Sequence, residues 1–327
     1  MGDGNTSSPQ FIKMHRYSYI YSFKYDTHNS ELCQLESRQL FGKDETNKLL
    51  FSNVKVDPSI SPFIKNRFEI RTSSAYYSQL LTQIEAEAIQ LDAFKAEYLV
   101  LDGDTTSYPE RLEKLRDIGD RISGNPDYKS PQLIYAICRY QNSWYFGVLT
   151  KHNTDWFKHR KKPCSFSSAI NMDIAKTLVS IASQGNKSRR LLDACCGVGT
   201  VLLEACIVGI DIEGCDINWK ACQAARKNLA HYKYTAKVYR SDIGELNSRY
   251  DSVIVDLPYN LYSFSNEAVT QNILVSTAKL ASRIVIVSTS GIDDLLAQAG
   301  LMVTDCCIVG KKGKNFLRKV WICEKTG

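Results

Sequence analysis

The chain has 327 residues, 44% of them hydrophobic and 23% charged, with 41 Lys and Arg against 35 Asp and Glu for a formal net charge of +6. That length supports two domains with separate cores, and the ordinary composition excludes a low-complexity or collagen-like chain. No apolar stretch approaches the roughly 20 residues of a membrane-spanning helix, and +6 is too modest to demand nonspecific DNA binding.

In chain order, Met1 to Gln10 is polar and aperiodic and reads as a disordered leader, without the basic start and apolar core of a signal peptide. Tyr17 to Phe23 alternates as a strand. Its Tyr17, Tyr19 and Tyr21 resemble a base-stacking platform, but such a stripe is more often a sheet face packed under helices. Ser30 to Leu40 reads as a helix with Ser30 as N-cap, and Leu49 to Phe51 and Val54 to Val56 as strands. Further strands are expected at Arg67 to Arg71, Tyr98 to Leu101, Leu133 to Tyr140 and Trp144 to Leu149, with helices at Ser78 to Leu91 and Tyr108 to Ile118. Lys151 to Lys162 interleaves basic residues with Trp156 and Phe157 where a linker belongs, a composition that suits either a phosphate backbone passing over the hinge or a solvated linker whose aromatics dock onto a domain. An amphipathic helix is expected over Ser168 to Ser183.

The next stretch organises the rest. Leu191 to Asp193 is an apolar run that ends in an acid and breaks into Ala194-Cys195-Cys196-Gly197-Val198-Gly199-Thr200 before a helical pattern. Runs ending at Asp216, at Asp242 and at Asp256-Leu257-Pro258-Tyr259 follow. If these are strands of an open parallel sheet, their acids converge on the crevice outside the carboxyl ends. A dinucleotide fingerprint needs a third glycine where this chain has Leu202, and Asp193 would oppose a pyrophosphate. The pattern favours a cationic or zwitterionic ligand, and S-adenosylmethionine fits: Asp193 toward its amino group, Asp216 toward the ribose hydroxyls, Asp242 toward the adenine amine. Taken singly, each acid is also consistent with a helix cap. Pro258 ends its strand and leaves the Leu257 carbonyl free. With the Asp256 carboxylate and the Tyr259 ring, that carbonyl suits a planar base bearing an exocyclic amine. The remaining elements are a helix over Val269 to Leu280, a buried strand Arg283 to Ser288, a helix over Asp293 to Ala299, and a closing hairpin with basic residues at its tip.

The 11 cysteines form no CxxC pairs, and neither they nor the five histidines show metal-ligand spacing, so small buried hydrophobes in a reducing cytosol are expected, with no metal. Cys195 reads as packing under the glycine loop; the alternative is a nucleophile toward a pyrimidine ring.

The D-x-x-C-G-x-G-T loop, Asp216, Asp242 and the D-L-P-Y tetrad resemble the THUMP-domain tRNA guanosine 2-amino methyltransferases. So do Ile122 to Tyr128, Tyr135 to Ile137, Trp144 to Gly147 and Lys162 to Ser167, which takes the resemblance over most of the chain. Leu257 departs from the usual D/N-P-P-Y tetrad, but a backbone carbonyl survives the change. The resemblance implies an α/β chain: an N-terminal ferredoxin-like plus THUMP (α+β) module, then a Rossmann-like class I methyltransferase domain with a mostly parallel seven-stranded sheet. The corresponding divisions are a leader at 1–10, a ferredoxin-like domain at 11–57, THUMP at 58–150, a linker at 151–164 and the methyltransferase domain at 165–327.

It further implies a cytoplasmic, S-adenosylmethionine-dependent enzyme that methylates a guanine 2-amino group in tRNA, with no membrane partner; some relatives act with a small activator subunit. Asp256, Leu257, Pro258 and Tyr259 are the expected catalytic residues. Asp193, Ala194, Cys196, Gly197, Gly199, Thr200, Asp216, Ile217, Asp242 and Ile243 are the expected cofactor residues, and Lys158, Arg160, Lys161, Lys162, Lys311, Lys312 and Lys314 the expected RNA contacts. The alternatives are an adenine-amine methyltransferase of DNA or rRNA, and a catalytically silent RNA-binding protein.

Overall fold

The computed structural model describes residues 17–166, 169–258, 264–311 and 314–326, so the expected leader at 1–10 lies outside it. The chain forms two compact units. The first, up to Ser22 with Asn47–Lys55 and Asn66–Thr150, is built on the strands β1 (Tyr19–Phe23), β2 (Leu49–Ser52), β3 (Ile64–Ser74), β4 (Phe94–Tyr98), β5 (Leu133–Tyr140) and β6 (Ser143–Lys151) in the order β2-β1-β3-β6-β5-β4. The helix α1 (Ser30–Phe41) lies in the second unit, and α2 (Tyr77–Ala86) and α3 (Tyr108–Gly119) in the first.

Successive side chains of a strand point to opposite sheet faces, and β5 shows the consequence. Ala136 and Cys138 join a core with Ile20, Phe68 and Leu149, while Tyr135 and Ile137 join another with Leu80 and Ile84 of α2 and Ile118 of α3. Tyr21 is wholly buried and donates its hydroxyl to the Val54 carbonyl at 2.8 Å, a core role in place of a stacking platform. Val54 itself lies beyond β2, outside any strand. The helix expected to reach Leu91 stops at Ala86, because Ala88 takes φ 46° and Gln90 bridges to Ser123. The expected boundary at 57/58 cuts across one sheet, since β1 and β2 pair into the same sheet as β3 to β6.

In the second unit β7 (Arg190–Asp193), β8 (Asp211–Asp216), β9 (Val238–Arg240), β10 (Ser252–Asp256), β11 (Arg283–Ser288), β12 (Leu301–Lys311) and β13 (Lys314–Lys325) take the order β12-β13-β11-β10-β7-β8-β9. The pairs from β11 across to β9 are parallel, and β13 pairs antiparallel with β11 and β12. The helices are α4 (Met172–Ser183), α5 (Thr200–Ile207), α6 (Trp219–His231), α7 (Phe264–Leu280) and α8 (Asp293–Gln298). All six residues of β11 are buried, as befits a strand covered on both faces. Among the described residues no helix is long and apolar enough to cross a membrane.

Helix α1 packs against α4 and β12 through Leu32, Cys33 and Leu35. Arg38 grips Asp305 with Nε and Nη2, each at 2.9 Å, the bidentate geometry that suits guanidinium and carboxylate. Gln39 adds a bond to Asp305 at 2.9 Å and accepts one from Arg283 at 2.6 Å. The residue before the helix is Asn29, without a side-chain cap bond, so Ser30 begins the helix instead of capping it.

Candidate functional site

Parallel register assembles the site. Asp193, the last residue of β7, lies opposite Ile254 of β10 and Gly214 of β8. Asp256 and Asp216 stand two residues further along those neighbouring strands, so by strand alternation all three carboxylates share a sheet face and flank the loop that leaves β7. Gly214 lets the loop and α5 pack closely on that face: a Cβ there would stand 2.9 Å from Leu202 Cδ1 and 3.1 Å from Cys196 Cβ.

The loop is fixed at its edges. Ala194 donates its amide to the Ile254 carbonyl at 2.8 Å, Cys196 to Cys215 at 3.0 Å, and Gly199 to Cys196 at 2.7 Å. Gly197 and Gly199 adopt φ of 52° and 79°, conformations glycine takes without a Cβ penalty. Open space lies where a Gly197 Cβ would be, whereas at Gly199 it would press on Ala225 at 3.1 Å. Asp216 accepts the Gly197 amide at 3.0 Å through Oδ2 and the Asn218 amide at 2.8 Å through Oδ1. It therefore shapes the loop from the side, and each oxygen keeps a further lone pair. Asn218 in turn caps α6 by accepting from the Lys220 amide.

Asp193 is the unusual group. It is 1% exposed, and its Oδ2 has no hydrogen-bond partner. Burial first, then the charges of Asp256 and Asp216, push its carboxyl well above the ordinary range. Thr200 is likewise buried with an unpartnered hydroxyl oxygen. Burial also raises the Cys195 and Cys196 thiols far above their usual values. Thiols held protonated in this way are poor nucleophiles, which favours packing for Cys195. Ala194 and Ile243 point into the core, and Ile217 stands 70% exposed beside Asp216. Asp242 is exposed and accepts the Gly244 amide at 2.7 Å, closing a short 3-10 turn.

Asp256 ends β10 half-buried, and Leu257 is 3% exposed with its amide donated to Val287 at 2.9 Å. That amide holds the tetrad to β11 while the leucine side chain fills the core. Pro258 is exposed, and Tyr259 lies outside the described residues.

The basic segment expected as a linker is a packed 3-10 helix, Asp155–Lys161. Trp156 and His159 are its anchors, 2% and 0% exposed. His159 Nδ1 lies 2.8 Å from Glu204 Oε1 of α5, and its Nε2 lies 3.1 Å from the Tyr234 hydroxyl. Trp156 donates to His152 Nε2 at 2.8 Å while His152 Nδ1 faces the Pro58 carbonyl at 3.0 Å, a pairing that needs a neutral ring protonated at Nδ1. Burial accordingly pushes His152 down to about 4. Lys176 completes the mount 3.7 Å from Glu204 Oε2, with its ammonium pushed down to about 8, burial being the largest cause.

Lys158, Arg160 and Lys161 remain exposed on this mount, and Lys162 is half-buried. Sequence reasoning found the basic residues and left docking of Trp156 open, but it did not find His159 and Glu204 as their support, nor Asn228 of α6, which bonds to Val198 and Cys164. Lys312 and the side chains of Lys311 and Lys314 lie outside the described residues.

A parallel sheet with acids at its strand ends around a glycine loop defines a cofactor-crevice α/β domain. Residues 159–292 match the family model UPF0020, described as RMKL-like, methyltransferase domain. The chain is 30% identical over 118 residues to the tRNA (guanine(10)-N2)-dimethyltransferase of Methanothermobacter thermautotrophicus, covering 35% of each chain. It is 24% identical over 170 residues to the enzyme of the same name from Methanocaldococcus jannaschii, covering 46% of this chain and 48% of that one. The chain thus aligns with less than half the length of either relative. Among solved structures, TrmN from Thermus thermophilus is similar with a TM-score of 0.49 and 15% identity, over 94% of this chain and all of that one.

The methyl donor that goes with the matched methyltransferase domain is S-adenosylmethionine. The residues present fit it: an unpartnered, buried acidic oxygen at Asp193 suits a cationic donor, and the open space over Gly197 admits a ligand against the backbone.

Proposed function

We propose that this protein transfers a methyl group from S-adenosylmethionine to the exocyclic 2-amino group of a guanosine in tRNA. The observation that carries the reading is Asp193: a carboxyl buried to 1% exposure, unpartnered at Oδ2, and flanked by Asp216 and Asp256 in neighbouring strand register. Both relatives are tRNA (guanine(10)-N2)-dimethyltransferases by name, which supports tRNA as the substrate and guanosine 10 as the position.

When bound, S-adenosylmethionine supplies an activated methyl group. Asp193 would hold the donor's ammonium, and Asp216, Ile217 and Asp242 its ribose and adenine. At the acceptor side Asp256 and the Leu257 carbonyl accept the two hydrogens of the guanine amine and turn its lone pair toward the methyl, with Tyr259 stacking on the base. The guanine must leave its helix to reach this pocket. Positioning and electrostatics supply the rate enhancement, since the aromatic amine is a weak nucleophile and no strong base precedes transfer. Lys158, Arg160 and Lys161 meet phosphates, and the sheet of β1 to β6 with α2 and α3 serves as a THUMP-like tRNA-capture module.

Replacing Asp256 by Ala tests the acceptor half. Methyl transfer at saturating donor should fall by about a hundredfold or more, while S-adenosylmethionine still binds in calorimetry. An unchanged rate in a folded variant would remove Asp256 from the chemistry.

A further inference from the structure

The glycine loop is held from behind by one side chain that none of the site's motifs contains. Asn228 of α6 is wholly buried. Its Nδ2 donates to the Val198 carbonyl at 2.9 Å and to the Cys164 carbonyl at 2.9 Å, and its Oδ1 accepts the Cys164 amide at 2.8 Å. Val198 sits between the two positive-φ glycines 197 and 199. Cys164 lies three residues past the end of the basic 3-10 helix Asp155–Lys161. A single amide therefore ties together the loop, α6 and the strand of chain that follows the basic helix.

The orientation of that amide is fixed by its surroundings. Both amino hydrogens meet carbonyls and the amide oxygen meets an N–H; turning it over would set oxygen against two carbonyl oxygens and the amino group against an N–H. Opposite Asn228, the neighbouring amide of Gly197 is held by Asp216 at 3.0 Å. The loop is thus clamped on two sides, by Asp216 at the crevice and by Asn228 beneath it. The Val198 carbonyl belongs to the peptide that joins Val198 to Gly199, so releasing it would loosen the turn between the two glycines, beside the open space at Gly197.

We propose that Asn228 is a positioning residue that sets the glycine loop in its cofactor-accepting geometry. The inference rests on the reading of the loop as an S-adenosylmethionine site. Asn228→Asp is the sharpest probe: it keeps the acceptor for the Cys164 amide but faces a carboxylate toward two carbonyls. Asn228→Ala removes all three bonds without introducing charge and serves where the Asp variant does not fold.

Calorimetry with S-adenosylmethionine on the full chain, beside thermal melting and methyl-transfer kinetics on tRNA, reads the outcome. The expected result is a loss of cofactor affinity of roughly tenfold in folded variant, carried by the KM for S-adenosylmethionine, with the KM for tRNA changed by no more than about twofold. A lower melting temperature with cofactor affinity within about twofold of wild type would overturn the proposal, leaving Asn228 a purely structural residue. A wild-type chain that binds no S-adenosylmethionine would instead overturn the cofactor reading, and this inference with it.

Discussion

Asp193 and Glu213 are buried carboxylates on adjacent strands of one sheet, 1% and 6% exposed. They are treated in opposite ways. Glu213 accepts the Tyr250 hydroxyl at 2.7 Å and pairs with Arg190 at 3.0 Å. Burial pushes its carboxyl up, but Tyr250, Arg190 and Lys237 together outweigh that and hold it below the usual range. Asp193 has no such partners, so burial and two neighbouring acids drive it the other way. A groove of about 570 Å³ opens beside Glu213, lined by Arg190, Asp211, Tyr234 and Lys237 among others. The proposed ligand instead meets Asp193 at the other end of the strands, where a buried acceptor is left unsatisfied.

The contrast is broken most severely by Asp193→Asn. Removing the charge should weaken S-adenosylmethionine by roughly a hundredfold or more, measured by calorimetry, with a melting temperature equal to or above wild type. The sign follows from the raised carboxyl: its burden is absent below the unfolded value of 3.8 and grows as pH rises above it, so at neutral pH the neutral amide relieves the fold. A variant that loses stability as well as affinity would show that Asp193 is structural.

Glu213→Ala should do the reverse. It strands the Tyr250 hydroxyl and costs about 1–3 kcal/mol in denaturant melts, with cofactor affinity retained. Because the Glu213 carboxyl is depressed, its contribution is present above the unfolded value of 4.5 and is lost as pH falls through the lower folded value. The deficit should therefore shrink in acid.

The smallest effect sharpens the comparison without a mutation. A cationic donor beside Asp193 favours its ionised form, so binding at neutral pH should release up to about one proton. Calorimetric enthalpies in buffers of differing ionisation heat should then diverge, and identical enthalpies would mean that Asp193 is already charged.

Much of the crevice was legible because its information is local. An apolar run ending in an acid and then glycine, repeated with acids at Asp216 and Asp256, needs only strand periodicity and the rule for parallel sheets to be placed. What supports the crevice was not legible, because its partners are remote in sequence. His159 meets Glu204 across 45 residues and Asn228 meets Cys164 across 64. Lys151 to Lys162 consequently read as a linker by composition, while burial of Trp156 and His159 makes it a mounted surface. Helix α1 shows the same limit: its apolar stripe was visible, but its docking on β12 depends on Asp305, 267 residues from Arg38.

The proposed reaction is methylation of a guanine 2-amino group in tRNA. It is tested most directly by incubating the protein with tRNA and labelled S-adenosylmethionine and resolving the nucleosides of the product. The account predicts label in 2-methylguanosine or its dimethyl form, abolished by Asp193→Asn and strongly reduced by Asp256→Ala. Label in methyladenosine, or none in tRNA despite measurable cofactor binding, would contradict it.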